Sequence, residues 1–350
     1  MGTGGGMTAL AKLHPGPGLR LTRVEVPAVG PGQVRARVKL AGICGTDGHI
    51  YAWDPWAASR IRPPVVLGHE WVGVVDAVGP GVEGIEPGDR VTAEMHFYCG
   101  QCRACRAGQP HLCRHLRIGG VDTDGAFAQY VVVPARNVWR LDPAIPDEVA
   151  AIMDPLGNAV HTALAFPLSG ATVAVTGAGP IGLAAIAVAR RAGATAIFVT
   201  ETSAPRRRLA ELMGADRVMD PREGDPVAAV LDATSGEGVD VLLEMSGHPD
   251  AIRQGLRMVR PGGAVAQLGL PPGEVTLELG EQIVMKGLTV KGIHGREIFR
   301  TWMQTSELLR GGLDVRPIVT HRLPLEAYEE AFELLASGQC GKIVLEIPGP

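Results

Sequence analysis

The chain lacks any long run of one charge, any uninterrupted membrane-length apolar stretch and any scattered set of cysteines. Each absence excludes a class of protein. With a net charge of −4 and both signs mixed throughout, no basic face for nucleic acid and no polybasic or amphipathic membrane surface is expected. Apolar segments are broken by charge, Gly or Pro well before the roughly 20 residues that a membrane span needs. Residues 1–6 form a glycine-rich leader with neither the basic nor the apolar region of a secretory signal, and Met7 offers an alternative start. With no repeat and no further low-complexity segment, these features point to a folded cytoplasmic protein with reduced thiols. A hydrophobic fraction of 46% argues against disorder, and 350 residues suffice for two domains with separate cores. The 47 glycines and 27 prolines therefore indicate tight turns and close backbone approaches rather than an unfolded chain.

Four of the six cysteines are Cys99, Cys102, Cys105 and Cys113, spaced C-x2-C-x2-C-x7-C. Four thiolates this close suit one tetrahedral zinc with no open position, which makes the site structural. Two disulfides are the plainer alternative, but a large chain without an export signal has little need of them. An iron–sulfur cluster is the other. Bacterial ferredoxin runs place the fourth Cys after three residues and before Pro, whereas here the gap is seven and Arg114 follows. Zinc fits best, so the reaction chemistry is expected elsewhere.

Between residues 20 and 140 the chain reads as short strands and turns. Val34–Leu40 alternates with period two, and Val65–Leu67, Trp71–Val78 and Phe127–Pro134 are further strand candidates. After Asp154 strands alternate with helices: helix Ala159–Ala165, strand Thr172–Thr176, helix Ile181–Ala192, strand Ala196–Thr200 and helix Pro205–Met213. Strands Val239–Glu244, Ala264–Leu268 and Leu288–Gly292 continue the series, which implies a parallel sheet of βαβ units. A helix over Phe299–Arg310 and a mixed tail follow, and Ile343–Ile347 is placed to return to the first domain.

Gly177-Ala178-Gly179-Pro180-Ile181-Gly182 is G-x-G-x-x-G between a predicted strand and a predicted helix. In that setting the glycines allow a tight turn, close pyrophosphate approach and helix–sheet packing, while the helix N-terminus attracts phosphate. Glu201 ends the second strand, where a carboxylate accepts the ribose hydroxyls of NAD and repels a 2′-phosphate. Arg206-Arg207-Arg208 nearby leaves NADP as the alternative. Cys44, in G-I-C-G-T-D, and His69-Glu70, in G-H-E, supply a thiolate, an imidazole and a carboxylate able to hold zinc with a position open. Neighbours on a regular strand face opposite ways. Irregular backbone is therefore expected at His69-Glu70, or one of the two lies outside the coordination sphere.

These segments together, with the cysteine lobe and G-A-G-P-I-G, resemble the zinc-dependent medium-chain dehydrogenases over essentially the whole chain after Met7. The resemblance implies an α/β plus β fold: a GroES-like catalytic domain (7–156, structural-zinc lobe 95–116), an inserted Rossmann domain (157–296), and a C-terminal return (297–350). It implies two zincs per chain, a catalytic one on Cys44, His69 and Glu70 and a structural one on the cysteine quartet. Thr46 and His49 match the family's proton relay, and Asp154 matches a carboxylate at the metal, as ligand or just outside it. NAD contacts carry over to Gly177, Gly179, Pro180, Ile181, Gly182, Glu201, Arg206, Leu268, Gly269, Leu270, Ile293 and His294. Glu201 stands where Asp is commoner, and His294 where an aromatic often stands.

The longer strings Cys44–Trp56, Asp154–Thr162, Glu244–Gly247 and Lys291–Glu297 resemble family members that oxidise the secondary hydroxyl of L-threonine to 2-amino-3-oxobutanoate. Diol and polyol dehydrogenases, acting on 2,3-butanediol or sorbitol, share the zinc motifs and are the alternative. A non-catalytic NAD-binding protein on the same fold is the alternative of another class. The family implies a homotetramer. His96, Arg296 and Glu297 are candidates for the amino-acid head group, and Cys340 is read as an unpartnered thiol.

Overall fold

The computed structural model describes residues 6–349. Residues 1–5 of the leader lie outside them. The chain divides into two compact units, one reaching Asp154 and resuming at Val319, the other spanning Pro155–Ile318. The sequence placed the second boundary at 296. Residues 297–318 fall instead in the second unit, where the turn Arg316–Ile318 packs on helices Pro180–Arg191 and Ala204–Leu212. Arg191 also donates to the Gly311 carbonyl there at 2.8 Å.

The first unit is built on a seven-stranded sheet. Its centre is the strand Gln33–Gly42, paired antiparallel with Glu70–Val78 on one side. Alternation V-R-A-R-V-K-L sends Val34, Ala36, Val38 and Leu40 into the core. On its other side this strand pairs with Tyr130–Pro134 over its first half and with the C-terminal strand Lys342–Glu346 over its second. The expected return of the tail is therefore seen, with Val344 opposite Gly42. The mixed tail also resolves into a strand, Val319–Pro324, parallel to that last one, and a helix, Tyr328–Ser337. One apolar core holds Trp71, Phe127, Met95, Phe332 and Leu345 together. Cys340 belongs to it, so this thiol is interior, with its Sγ 3.4 Å from the Leu334 carbonyl.

The second unit is a six-stranded parallel sheet. Its spatial order is Arg217–Met219, Ala196–Thr200, Thr172–Thr176, Val239–Glu244, Val259–Gln267, Thr289–Gly292. The first strand in sequence lies third in space, so strand order reverses between Thr172–Thr176 and Val239–Glu244. That reversal leaves a crevice at the carboxyl ends of the two strands, the usual dinucleotide position in a doubly wound sheet. The run T-V-A-V-T is buried from Val173 to Thr176, as a central parallel strand must be. Helix Met153–Ala163 begins earlier than predicted because Met153-Asp154-Pro155 forms its first turn, where Pro is tolerated.

Candidate active site and cofactor site

In the first unit, helix Gly45–Ala52 starts with Cys44 as its N-cap, in extended backbone (φ −97°, ψ 158°). The Asp47 carboxylate accepts the Cys44 N–H at 2.8 Å, which closes the turn. Cys44 therefore sits at the N-terminus of this helix. Gly68 has φ +95°, and a Cβ there would lie 2.4 Å from Phe127. This glycine kink supplies the irregular backbone expected before the strand that Glu70 opens. Consequently Cys44, His69 and Glu70 each offer a donor atom, all within 4.8 Å of one another.

The cluster is almost dry, with His69 5% and Glu70 1% exposed. Buried charges at these positions need partners. Glu70 has one: Lys342 Nζ, from the C-terminal strand, donates to Oε1 at 2.7 Å and lies 2.6 Å from Oε2. Burial alone would lower the Lys342 ammonium, but Glu70 and Cys44 outweigh it and hold it above its ordinary value. Burial would likewise lower the His69 imidazole. Cys44, Asp47 and Asp154 reverse that and raise it to about 10. Burial pushes Asp47 up to about 6, opposed chiefly by His69. Asp47 Oδ1 and His69 Nδ1, 4.0 Å apart, remain without a hydrogen bond. An anionic, buried donor set with orphaned polar atoms fits a divalent cation.

Asp154 is buried and close enough to raise His69, but it is not one of the three mutually close donors. Thr46 and His49 share one face of helix Gly45–Ala52, three residues apart. Thr46 Oγ1 is 3.7 Å from Cys44 Sγ. His49 is exposed, and its Nδ1 is 2.6 Å from Asp54 Oδ2. The other Asp54 oxygen accepts the Ala57 N–H and so caps helix Pro55–Arg60. Asp47, Asp54 and Lys342 were missed in the sequence. Only Asp54 carried a local signal, an N-cap residue directly before Pro55.

The cysteine quartet forms a separate cluster in the same unit. Its sulfurs are 3.5–4.0 Å apart. That is too long for disulfides, and all four are free. A tetrahedron with zinc–sulfur bonds of about 2.3 Å has edges of about 3.8 Å, so the quartet fits zinc. Backbone N–H groups of Cys99, Cys102 and His115 donate to the sulfurs, which favours thiolates. His96, beside this lobe, bonds through Nδ1 to the fully buried Glu94 at 2.9 Å.

In the second unit the three motif glycines have three separate reasons. Gly177 has φ +87°, and a Cβ there would press on Ser246 at 2.8 Å. A Cβ on Gly182 would lie 2.1 Å from the Gly177 carbonyl oxygen. Gly179 faces open space, which a Cβ would begin to fill, and it caps helix Pro180–Arg191. Glu201 Oε2 accepts the Ala178 N–H at 2.8 Å and Oε1 accepts that of Ser203 at 2.8 Å. Oε1 also accepts from the Thr202 hydroxyl at 3.3 Å, which leaves Oε2 with a lone pair for a ribose hydroxyl. Across the switch point, the fully buried Glu244 accepts from Thr176, Ser246, Gly247 and Gln267, so E-M-S-G is an anchored turn. Ile293 is buried, whereas Leu270 and His294 are exposed and Arg206 is half-buried.

The head-group candidates are engaged. Arg296 is 3% exposed, with its guanidinium 5.8 Å from the Trp302 ring. Glu297 pairs with Arg300 at 3.1 Å and lies 3.9 Å from His161 Nε2, while His161 Nδ1 is 2.9 Å from the Gly295 carbonyl.

Comparisons with known proteins agree with this architecture. Residues 30–143 match the Alcohol dehydrogenase GroES-like domain family, and residues 180–311 match the Zinc-binding dehydrogenase family. The chain is 52% identical to L-threonine 3-dehydrogenase of Pyrococcus horikoshii over 97% of this chain and 98% of that one. It is 48% identical to L-threonine 3-dehydrogenase of Caldanaerobacter subterraneus subsp. tengcongensis over 97% and 98%. Among solved structures, a zinc-binding dehydrogenase of Sinorhizobium meliloti bound to NADP superposes with TM-score 0.90, at 32% identity over 98% of this chain and 99% of that one. The 2R,3R-butanediol dehydrogenase of Bacillus subtilis superposes with TM-score 0.87, at 32% identity over 98% and 100%. A buried thiolate–imidazole–carboxylate triad, a tetrahedral cysteine quartet and a doubly wound nucleotide unit thus occur in one chain, which belongs to the zinc-dependent medium-chain dehydrogenase family.

Proposed function

We propose that this chain oxidises the secondary hydroxyl of L-threonine to the ketone of 2-amino-3-oxobutanoate. The substrate carbon gives a hydride to NAD and its hydroxyl gives a proton to the protein. The observation that carries the chemistry is the convergence of Cys44, His69 and Glu70 on one buried point, beside a helix bearing Thr46 and His49. The substrate class follows the relatives of about 50% identity over 97% of the chain.

In this reading Cys44, His69 and Glu70 would hold the catalytic zinc, with Lys342 paired to the Glu70 carboxylate. Cys99, Cys102, Cys105 and Cys113 hold the structural zinc. When bound, the catalytic zinc supplies Lewis-acid polarisation of the substrate hydroxyl, and NAD supplies the hydride acceptor. Thr46 takes up the released proton and hands it along the helix face to His49, which delivers it to water from its exposed position. Asp54 keeps the His49 ring oriented by accepting from Nδ1. Asp154 acts electrostatically through His69 from outside the ligand triad. NAD lies along Gly177, Gly179, Pro180, Ile181 and Gly182, with the adenosine ribose on Glu201 and Arg206. Leu268, Gly269, Leu270, Ile293 and His294 line its nicotinamide half. His96, oriented by Glu94 through Nδ1, is a candidate head-group contact.

The chain works in the cytoplasm as a homotetramer in this reading. Among the described residues no helix is long and apolar enough to cross a membrane. The terminal strand Thr289–Gly292 pairs on one side only, and Val290, Val284, Met285 and Leu279 beside it are exposed, a surface suited to a second copy.

The test is NADH formation by zinc-replete protein with L-threonine, beside 2,3-butanediol and sorbitol. A kcat/KM for L-threonine at least about tenfold above both is expected, a difference of ~1.4 kcal/mol in transition-state binding. A preference for either diol or polyol would overturn the threonine reading and leave the fold standing.

A further inference from the structure

The sequence leaves a conflict at the adenosine end of the nucleotide site. Glu201 argues for NAD, whereas arginines within a few residues argue for a phosphate. The structure adds another guanidinium: Arg222 lines the same cavity of ≈ 370 Å³ as Glu201, Gly177 and Ser246. A 2′-phosphate there would meet a carboxylate and a cation together.

Arg207 and Arg222 are both engaged, and by the same residue. Asp220, directly after the strand Arg217–Met219, has a side chain only 2% exposed. Arg222 binds it with both ends of its fork, Nε to Oδ1 at 2.9 Å and an η-nitrogen to Oδ2 at 2.6 Å. Arg207 donates to Oδ2 at 2.7 Å. The Arg207 nitrogen that meets Asp220 also reaches the carbonyls of Glu201 (3.1 Å) and Thr202 (2.8 Å), and the Arg222 η-nitrogen on Oδ2 reaches that of Thr202 (2.5 Å). Bidentate charge-assisted pairs of this kind are the strong ones, and they fix direction as well as charge. The carboxylate thus holds two cations against the turn that carries Glu201 and compensates their charge.

We propose that Asp220 is a specificity-determining positioning residue, which excludes NADP by keeping Arg207 and Arg222 from a 2′-phosphate beside Glu201. The inference rests on the reading of Glu201 as the ribose acceptor. Release of the pair places uncompensated positive charge in the cavity and offsets the repulsion by Glu201. Cofactor choice is then set by Glu201 and Asp220, at two adjacent strand ends, together with the two arginines that Asp220 holds, rather than by one acidic residue.

The test is the affinity of the zinc-loaded protein for NADH and NADPH, each followed by nucleotide fluorescence without turnover. In Asp220→Asn, NADPH is expected to bind about tenfold more tightly while NADH changes less than about twofold. Adding Arg222→Gln to that variant should restore the original preference. Equal weakening of both nucleotides would make Asp220 a structural anchor only and overturn the proposal, as would no change. Glu201→Gln separates the two readings. If it leaves the NADH-to-NADPH ratio unaltered, the Glu201 reading fails; if it alters the ratio and Asp220→Asn does not, only the present inference fails. Should Asp220→Asn not fold, Arg222→Gln alone decides. Its NADH-to-NADPH ratio should match the parent, and a selective loss of NADPH would mean that Arg222 already serves the phosphate, against the proposal.

Discussion

Lys342 and Glu70 are the pair on which the metal site turns at the level of single residues. Both are buried, from strands remote in sequence, and each compensates the other's charge. Removing one partner of such a pair costs about 3–5 kcal/mol, because the other charge stays behind in a dry site. Lys342→Met should therefore destabilise the metal-free protein by about that much. Zinc offers Glu70 a substitute cation, so the penalty should shrink when zinc is bound. Calorimetric unfolding with and without zinc checks this, and an equal loss in both forms would mean that Glu70 never turns to the metal. Zinc uptake also has a pH sign. His69, held up to about 10 in the metal-free cluster, must lose its proton to ligate. Zinc affinity should accordingly rise with pH across the neutral range, with proton release measurable in buffers of different ionisation enthalpy.

At the scale of elements, the strand–turn–helix Thr172–Arg191 shows how glycines with the same motif role differ physically. Gly182→Ala puts a Cβ against a backbone carbonyl that cannot retreat, so the expected result is loss of both thermal stability and NADH binding. Gly179→Ala meets nothing in the protein and has ordinary φ of −62°, so stability should fall by no more than about 1 kcal/mol, the cost of alanine in place of glycine at an N-cap. Its methyl group would stand where the pyrophosphate approaches, so NADH binding should still weaken by tenfold or more. Thermal melts and NADH titration of the two variants separate these outcomes.

The strand neighbouring this unit begins with a second tie. Asp240 accepts from the Thr172 N–H (2.7 Å), the Thr172 hydroxyl (2.9 Å) and Arg260 Nε (2.7 Å). Burial opposes the charged form, but these donors outweigh it and hold the carboxyl below its ordinary 3.8. A carboxylate lowered in the folded state stabilises it above the unfolded value and loses that contribution as pH falls through the folded one. Asp240→Asn should thus be less stable than the parent at neutral pH, and the difference should close below about pH 4. Denaturant melts from neutral to acid pH measure it.

For the molecule as a whole, two metal clusters in one unit divide labour. In the proposed reading Cys44, His69 and Glu70 would give a zinc three protein donors and leave a position open, whereas four thiolates would close the quartet. Chelation should remove the triad's zinc first, abolishing oxidation while NADH binding, which belongs to the other unit, persists. Loss of the second zinc should need stronger chelation and should lower Tm, because a structural zinc contributes folding energy. Zinc content, NADH affinity and Tm followed through one chelator titration give the order, and simultaneous loss of both metals would contradict it.

Much of this architecture was legible in the chain itself. The βαβ alternation, G-A-G-P-I-G after a buried strand, and C-x2-C-x2-C-x7-C are local patterns, because turn geometry, helix entry and tetrahedral closure are decided within a few residues. Cys44, His69 and Glu70 stood out by their combination with the nucleotide motif and by the family resemblance, and strand periodicity asked for either irregular backbone there, found at Gly68, or one residue outside the coordination sphere. Other features depend on segments far apart in sequence. The boundary at Ile318 rather than 296 follows from packing of 297–318 on helices of the second unit. Lys342 meets Glu70 only because the last strand pairs with Gln33–Gly42. Arg207 and Arg222 look like free cations in the sequence and become the two sides of one carboxylate only where adjacent strands end together. Local sequence thus set which chemistry the chain carries, and the tertiary structure decided which charges neutralise one another, since compensation in a low-dielectric interior depends on distances that only long-range packing creates.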